Sequence, residues 1–418
     1  MPETPQRPPL SGADVLHARR EMVDRLVADG LLHDTAVRRA LLAVPREQLL
    51  PWIYVLRQEP EQPGRWWWQV LDGTRPQDRA EWVERIHGER SVAVQWQGRP
   101  MNTPDRGRVE GGDVTATTSV LSSTATTLED RSLEPGLRVL DAGTGAGVVA
   151  ALAAHLAGTD SVTTVECDPH VAQAARERLA AAGYPLEVVT GDALAGHPQG
   201  APYDRLHAGF AVRCLPPAWL EQLAPGGLLL ATLTTASPFW LGRCTVRRHR
   251  SGRLEGEVAA LGWGHRPGRG WRWLSAHSHR ARLAAFPVRR RRTALAPPGP
   301  DEHGLWLALA HLAPGLVQDR QADHLTVIAP GEDSFAAVRP DGQAWQVEHA
   351  GQRDIWDEVE ALHARWVRAG RPEAYRLEVA SDGGQHLTSC AGPRPLGWEL
   401  PRAPLAGAAG DINHVEEP

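Results

Sequence analysis

The chain has 418 residues, 23% of them charged, and a net charge of −5. It is longer than one compact core usually holds, and it has no basic excess for a broad nucleic-acid-binding face. There is no lysine, so all 45 strong bases are arginine. This excludes a Schiff-base lysine and a phosphate loop ending in Gly-Lys-Ser/Thr. Cys167, Cys214, Cys244 and Cys390 never form Cys-x-x-Cys, which argues for reduced structural thiols and against a metal site. No apolar run approaches the ~18 residues of a membrane span, and Met1-Pro2-Glu3-Thr4 lacks the features of a signal peptide. The expectation is a cytoplasmic protein without membrane or nucleic-acid partners.

In chain order, residues 1–12 are Pro-rich and predict a loose tail. Residues 13–43 have helical periodicity, interrupted at Gly30. The stretch from Pro51 to Ser119 carries Trp66-Trp67-Trp68, a helix near Arg79–Ile86 and a strand-like Ser91–Gln97. Packing explains the three tryptophans better than a binding platform does. Residues 136–235 alternate short apolar strands with helices. The strands are expected at Val139-Leu140, Val162–Val165, Leu186–Val189, Leu206–Gly209 and Leu228–Thr232. This rhythm predicts a doubly wound, Rossmann-like α/β core with a parallel sheet. Arg289-Arg290-Arg291-Arg292 and Pro297-Pro298-Gly299-Pro300 predict a linker over 289–301. The domains expected are therefore a catalytic domain over 13–288, with its cofactor core at about 119–245, and a smaller α+β accessory domain over 302–418.

Val139-Leu140-Asp141-Ala142-Gly143-Thr144-Gly145-Ala146-Gly147 stands where the first core strand turns into a helix. Glycines there let a ligand approach the backbone and the free amides of the helix start. The spacing is Gly-x-Gly-x-Gly, not the Gly-x-Gly-x-x-Gly of dinucleotide sites. Asp141, at the strand end, would repel a pyrophosphate and suits a cation such as S-adenosylmethionine. Glu166 ends the second strand, where a carboxylate can accept both ribose hydroxyls. Asp192, after the third strand, is a candidate acceptor for the adenine amino group.

With these residues, the chain resembles the protein-L-isoaspartate O-methyltransferase family. Met22-Val23-Asp24-Arg25-Leu26 and Ala43-Val44-Pro45-Arg46 are similar to its N-terminal helices. Val139–Gly147, Val165-Glu166-Cys167-Asp168-Pro169, Gly191-Asp192, Ala201-Pro202-Tyr203-Asp204-Arg205 and Leu223-Ala224-Pro225-Gly226-Gly227 are similar to its cofactor core. Ala211–Trp219 resembles a longer actinobacterial branch with an extra C-terminal domain. Those enzymes often esterify an aspartate of a ribosomally made peptide that then closes to an aspartimide.

The resemblance implies a class I S-adenosylmethionine-dependent methyltransferase. Its cofactor contacts would come from Asp141, Gly143, Thr144, Gly145, Gly147, Glu166, Cys167, Asp192 and Ala193. The family's acceptor-site serine corresponds to Ser119 or Ser122, and Arg213 is the candidate clamp for the substrate carboxylate. The substrate implied is an aspartyl or isoaspartyl carboxylate in a peptide or protein. Alternatives are methylation of a small molecule, or cofactor binding without turnover. Free carboxylates titrate near ~4, so the acceptor is ionised at neutral pH and needs no general base. His207 is therefore not required as one.

Overall fold

The structure is a computed structural model that describes residues 12–59, 65–99, 101, 108–110, 112–235, 237, 240–261, 287–321, 324–390 and 392–402. The predicted tail at 1–12 lies outside these residues except for Gly12. The chain forms two compact units, Met1–Gly209 with Glu221–Leu228, and Phe210–Leu220 with Leu229–Pro418.

The first unit opens with helices α1 (Gly12–Ala28), α2 (Thr35–Ala43) and α3 (Arg46–Leu49). Gly30 ends the α1 segment in the left-handed region at φ +67°. The Asp34 carboxylate then accepts the amides of Ala36 and Val37 at the start of α2, at 2.6 and 3.0 Å, which removes two unpaired donors. Met22, Val23 and Leu26 of α1 and Val37, Ala40 and Leu41 of α2 enter one core with Ala-rich helix α6 (Val148–Ala157).

Next in the chain comes an antiparallel sheet. It comprises β1 (Trp52–Gln58), β2 (Trp66–Asp72), β3 (Ala93–Trp96), β4 (Arg108–Val109) and β5 (Val114–Thr117), in the order β4-β2-β1-β3-β5. Helix α4 (Pro76–Ile86) follows β2. Strand alternation separates the three tryptophans. Trp68 packs against buried Trp96 at 5.7 Å between rings, Trp67 lies under the Arg108 guanidinium, and Trp66 remains 51% exposed.

The parallel core consists of β6 (Val139–Ala142), β7 (Val162–Glu166), β8 (Glu187–Thr190) and β9 (Tyr203–Val212), in the order β9-β6-β7-β8. Helix α5 (Leu121–Arg131) precedes β6, and α7 (Pro169–Ala181) joins β7 to β8. This is the Rossmann order, with a ligand crevice expected at the C-terminal ends of β6 and its neighbours. All four residues of β6 are buried, as a strand covered on both faces requires. β10 (Leu223–Leu233) begins in this unit and runs into the second.

His87, 2% exposed after α4, carries an acid-stability signature. Burial, then the neighbouring Arg46, Arg19 and Arg25, push its pKa down from 6.5 to about 3. The unfolded chain binds this proton below about pH 6.5 and the native state does not, so stability falls as pH drops from about 6.5 towards 3. Urea unfolding at pH 7 and pH 5 should show a smaller acid loss for His87→Phe than for the parent protein. An equal loss would mean that His87 titrates normally.

The second unit contains an antiparallel sheet in the order β11 (Leu241–Arg248), β12 (Leu254–Leu261), β18 (Ala374–Val379), β19 (Gln385–Ser389), β20 (Gly397–Glu399). A second sheet has the order β13 (Arg289–Thr293), β17 (Ala344–Ala350), β16 (Ser334–Asp341), β15 (Leu325–Ala329), β14 (Val317–Arg320). The helix Ile355–Arg368 buries Ile355, Trp356, Val359, Leu362 and Trp366.

Two sequence expectations change here. Residues 289–293, predicted as linker, form edge strand β13, paired with β17 from Arg289↔His349 to Thr293↔Trp345. Its arginines meet acids from distant elements: Arg290 with Glu348, Arg291 with Asp357 and Glu360, and Arg292 with Asp341. Charged side chains on an edge strand also discourage pairing with a further chain. The boundary predicted at 302 is not one either. β18 pairs with β12 at Gly256↔Leu377 to Ala259↔Ala374, so residues assigned to the accessory domain complete a sheet begun within 13–288.

Candidate functional site

The glycine turn lies at the C-terminal end of β6. Gly143, Gly145 and Gly147 have φ of +93°, +53° and +81°, so the segment leaves the strand through three left-handed positions that suit glycine. The Gly143 and Thr144 amides both donate to the Val165 carbonyl, at 2.8 and 3.2 Å. Gly147 is the N-cap of α6 and has no side-chain cap, leaving first-turn amides available to a ligand. A Cβ at Gly209 would come 3.1 Å from the Gly143 carbonyl oxygen, so glycine on β9 gives the turn its room.

Asp141 is 1% exposed and points into the protein. It sits opposite Thr164 on β7 and His207 on β9. The Thr164 hydroxyl lies 3.0 Å from Oδ2, and His207 Nδ1 lies 3.1 Å from Oδ1. Thr144 Oγ1 and Thr164 Oγ1 are 2.8 Å apart, which ties this network to the glycine turn. Arg131, wholly buried at the end of α5, attracts Asp141 electrostatically; burial lowers its pKa to about 10, so it remains a cation at neutral pH. Its three guanidinium nitrogens have no hydrogen-bond partner among the described residues. Burial, opposed by the Asp141 hydrogen bond, holds His207 below its ordinary pKa, and Arg131 adds to the lowering. The Asp141 charge is thus answered from inside the protein. A neutral imidazole buried on this network serves as a support.

Glu166, half-buried at the end of β7, turns towards the glycine loop. Its Oε2 accepts the Gly145 amide at 3.0 Å, and Oε1 accepts the Asp168 amide at 3.0 Å. The exposed Cys167 donates through Sγ to Oε1 at 3.5 Å. An ionised carboxylate offers about four acceptor positions, so Oε2 keeps capacity beyond its one backbone donor. Asp192 is exposed after β8 and accepts the Leu194 amide at 2.9 Å, while Ala193 is buried beside it. The two carboxylates beside the open glycine turn favour a cationic nucleoside, while the uncapped start of α6 suits an anionic group on the same ligand.

The hydroxyl segment lies against the same turn. A Cβ at Gly145 would meet the Thr117 carbonyl, at the end of β5, at 3.6 Å. The segment that follows is held by the loop after α4. Thr118 N donates to the Val92 carbonyl at 2.9 Å, the Thr118 carbonyl accepts Ser91 Oγ at 2.5 Å, and Ser122 N donates to Glu89 Oε1 at 2.8 Å. Ser119 is half-buried in the non-helical stretch before α5, whereas Ser122 is 8% exposed within its first turn. Arg213 lies in the second unit, where it is exposed. Two residues on, Leu215 is held by both ends of the Gln385 amide, at 2.9 and 2.7 Å.

Sequence reasoning missed Arg131, Thr164, Glu89 and the Gln95–Asp168 link. Gln95 Nε2 reaches Asp168 Oδ2 at 3.1 Å, joining the inserted sheet to the N-cap of α7. Only Asp168 had a readable signal, since Asp-Pro at a helix start marks a cap.

The family profile described as protein-L-isoaspartate(D-aspartate) O-methyltransferase matches residues 89–241. The protein-L-isoaspartate O-methyltransferase of Thermococcus onnurineus is 33% identical over 223 residues, covering 53% of this chain and 79% of that protein. The protein of the same name from Methanopyrus kandleri is 29% identical over 244 residues, covering 56% and 88%. A solved protein-L-isoaspartate O-methyltransferase aligns with a TM-score of 0.48 and 18% identity, over 89% of this chain and 99% of that one. The Thermococcus enzyme shares a third of the aligned residues and is covered over 79% of its own length, and on this likeness the chain belongs to the protein-L-isoaspartate O-methyltransferase family.

Proposed function

We propose that the protein transfers a methyl group from S-adenosylmethionine to an isoaspartyl or aspartyl carboxylate of a polypeptide. The observation that carries this reading is the approach of the hydroxyl segment to the glycine turn, with the Thr117 carbonyl in van der Waals range of a Cβ at Gly145. Acceptor-binding hydroxyls and a cofactor loop then belong to one cleft. Glu166 would hold the ribose and Asp192 the adenine amino group, while the turn and the α6 amides line the remainder. The bound cofactor supplies an electrophilic methyl group on a sulfonium.

The chain's own task is to bring an ionised carboxylate oxygen behind that methyl and to keep water out. The oxygen–carbon bond forms as the carbon–sulfur bond breaks with its electron pair, and no proton moves. Ser119 suits the acceptor carboxylate better than Ser122. It lies outside the helix and is less buried, while the Ser122 amide is bound to Glu89.

Incubation with methyl-labelled S-adenosylmethionine and an isoaspartyl peptide should give a base-labile methyl ester. A sequence-matched aspartyl peptide tests the second reading, a dedicated peptide substrate methylated on the way to an aspartimide. The five-stranded sheet between Pro51 and Ser119 favours that reading, because it offers surface beyond what cofactor binding needs. No ester on either peptide would sink both.

A further inference from the structure

A second cavity of about 670 Å³ opens in the first unit between α1, α4 and the loop His87–Arg90. Its volume is that of a site for a small ligand or a few peptide residues. Both ring nitrogens of its lining residue His87 are buried without a hydrogen-bond partner among the described residues. Unmet buried polar groups are uncommon and costly, so such a ring invites a ligand. The surrounding charge has a direction. Arg25 lines the cavity and donates to the His87 carbonyl at 2.9 Å, and buried Arg19 and Arg46 are close enough to act on the ring. Of the acids that answer them, Glu47 is bound to Arg19, and Glu89 is engaged by the Ser122 amide. Glu21 and Glu84 are exposed at the cavity, as is Arg90. The lining balances Glu21, Glu84 and Glu89 against Arg25, Arg85 and Arg90, whereas the charges acting on the His87 ring are those of Arg46, Arg19 and Arg25, an arrangement that draws the anionic end of a ligand towards the ring.

The cavity also adjoins the acceptor segment, because Glu89 belongs to both: it lines the cavity and holds the first turn of α5 at Ser122. We propose that this cavity is a substrate subsite that takes an acidic side chain of the polypeptide flanking the methyl-accepting residue, with His87, Arg25 and Arg90 as its recognition groups. This rests on the polypeptide substrate proposed above. The neutral His87 ring offers one N–H to a carboxylate, and the arginines supply charge-assisted donors.

The test uses isoaspartyl peptides carrying a single glutamate at successive positions on either side of the acceptor, each against its glutamine counterpart. At one position glutamate should lower KM by about tenfold, the scale of one charge-assisted hydrogen bond, with kcat unchanged. His87→Phe and the exposed substitution Arg90→Glu should each bring the KM ratio between the glutamine and glutamate peptides to about one. Equal KM at every position, or a preference that survives both substitutions, would overturn the subsite. Direct binding separates this result from failure of the methylation reading. A labelled acidic peptide with asparagine at the acceptor position should bind by fluorescence anisotropy, and more weakly to Arg90→Glu, whether or not any peptide is methylated. Equal anisotropy titrations for the parent and Arg90→Glu would reject the subsite on their own.

Discussion

Asp141→Ala is expected to lower the stability of the protein by about 1–3 kcal/mol, the usual cost of leaving a buried donor without its acceptor. The change removes a carboxylate whose charge favours the buried Arg131 cation. It also takes the carboxylate partner from His207 Nδ1, while the Thr164 hydroxyl loses Oδ2 but keeps the Asp141 backbone carbonyl at 2.9 Å. Urea unfolding should report this as a lower midpoint with an unchanged slope. Asp141→Asn keeps an acceptor for Thr164 and loses the charge, so its loss should be intermediate. Cofactor affinity, measured on the folded fraction, should fall less than for a residue that touches the ligand. Unchanged stability with a large loss of affinity would show instead that the carboxylate serves the ligand directly.

Glu166→Ala should behave in the opposite way. Its carboxylate is half-buried and joins Gly145 to Asp168 at the mouth of the turn. A charged acceptor contributes about 1.5–3 kcal/mol per hydrogen bond, so the dissociation constant for S-adenosylmethionine should rise about tenfold to hundredfold. Unfolding should shift less than in Asp141→Ala, because the Glu166 carboxylate and the Gly145 amide it binds are only half-buried. Calorimetric titration checks the first outcome, and an unaltered constant would remove Glu166 from the cofactor site.

The sequence made the parallel core and its outward acids readable, because glycines and carboxylates at strand ends report local geometry. Glu166 and Asp192 face outward as the strand positions suggest. Asp141 shares the same kind of position but turns inward. Its surroundings are Thr164 and His207, brought beside it by the parallel register of the sheet, and Arg131 from the end of α5, three elements separated along the chain. The arginine run at 289–292 misleads for a related reason. Four like charges beside prolines imitate a solvated boundary until Asp341, Glu348, Asp357 and Glu360 are seen around them. Three consecutive tryptophans likewise obscure strand alternation, and only the ring contact with buried Trp96, two strands away, marks Trp68 as packed.

The pairing of β12 with β18 also sets an order of events on the ribosome. β12 is complete at Leu261, yet its second neighbour begins only at Ala374. Until that segment emerges, one edge of β12 has no strand to pair with, and the Leu215 backbone lacks the Gln385 amide. Such distant pairing slows folding and leaves a strand edge open to other nascent chains. The second unit must therefore finish only after residues 374–389 have been made, and that segment acts as a closing clasp on strands made long before it.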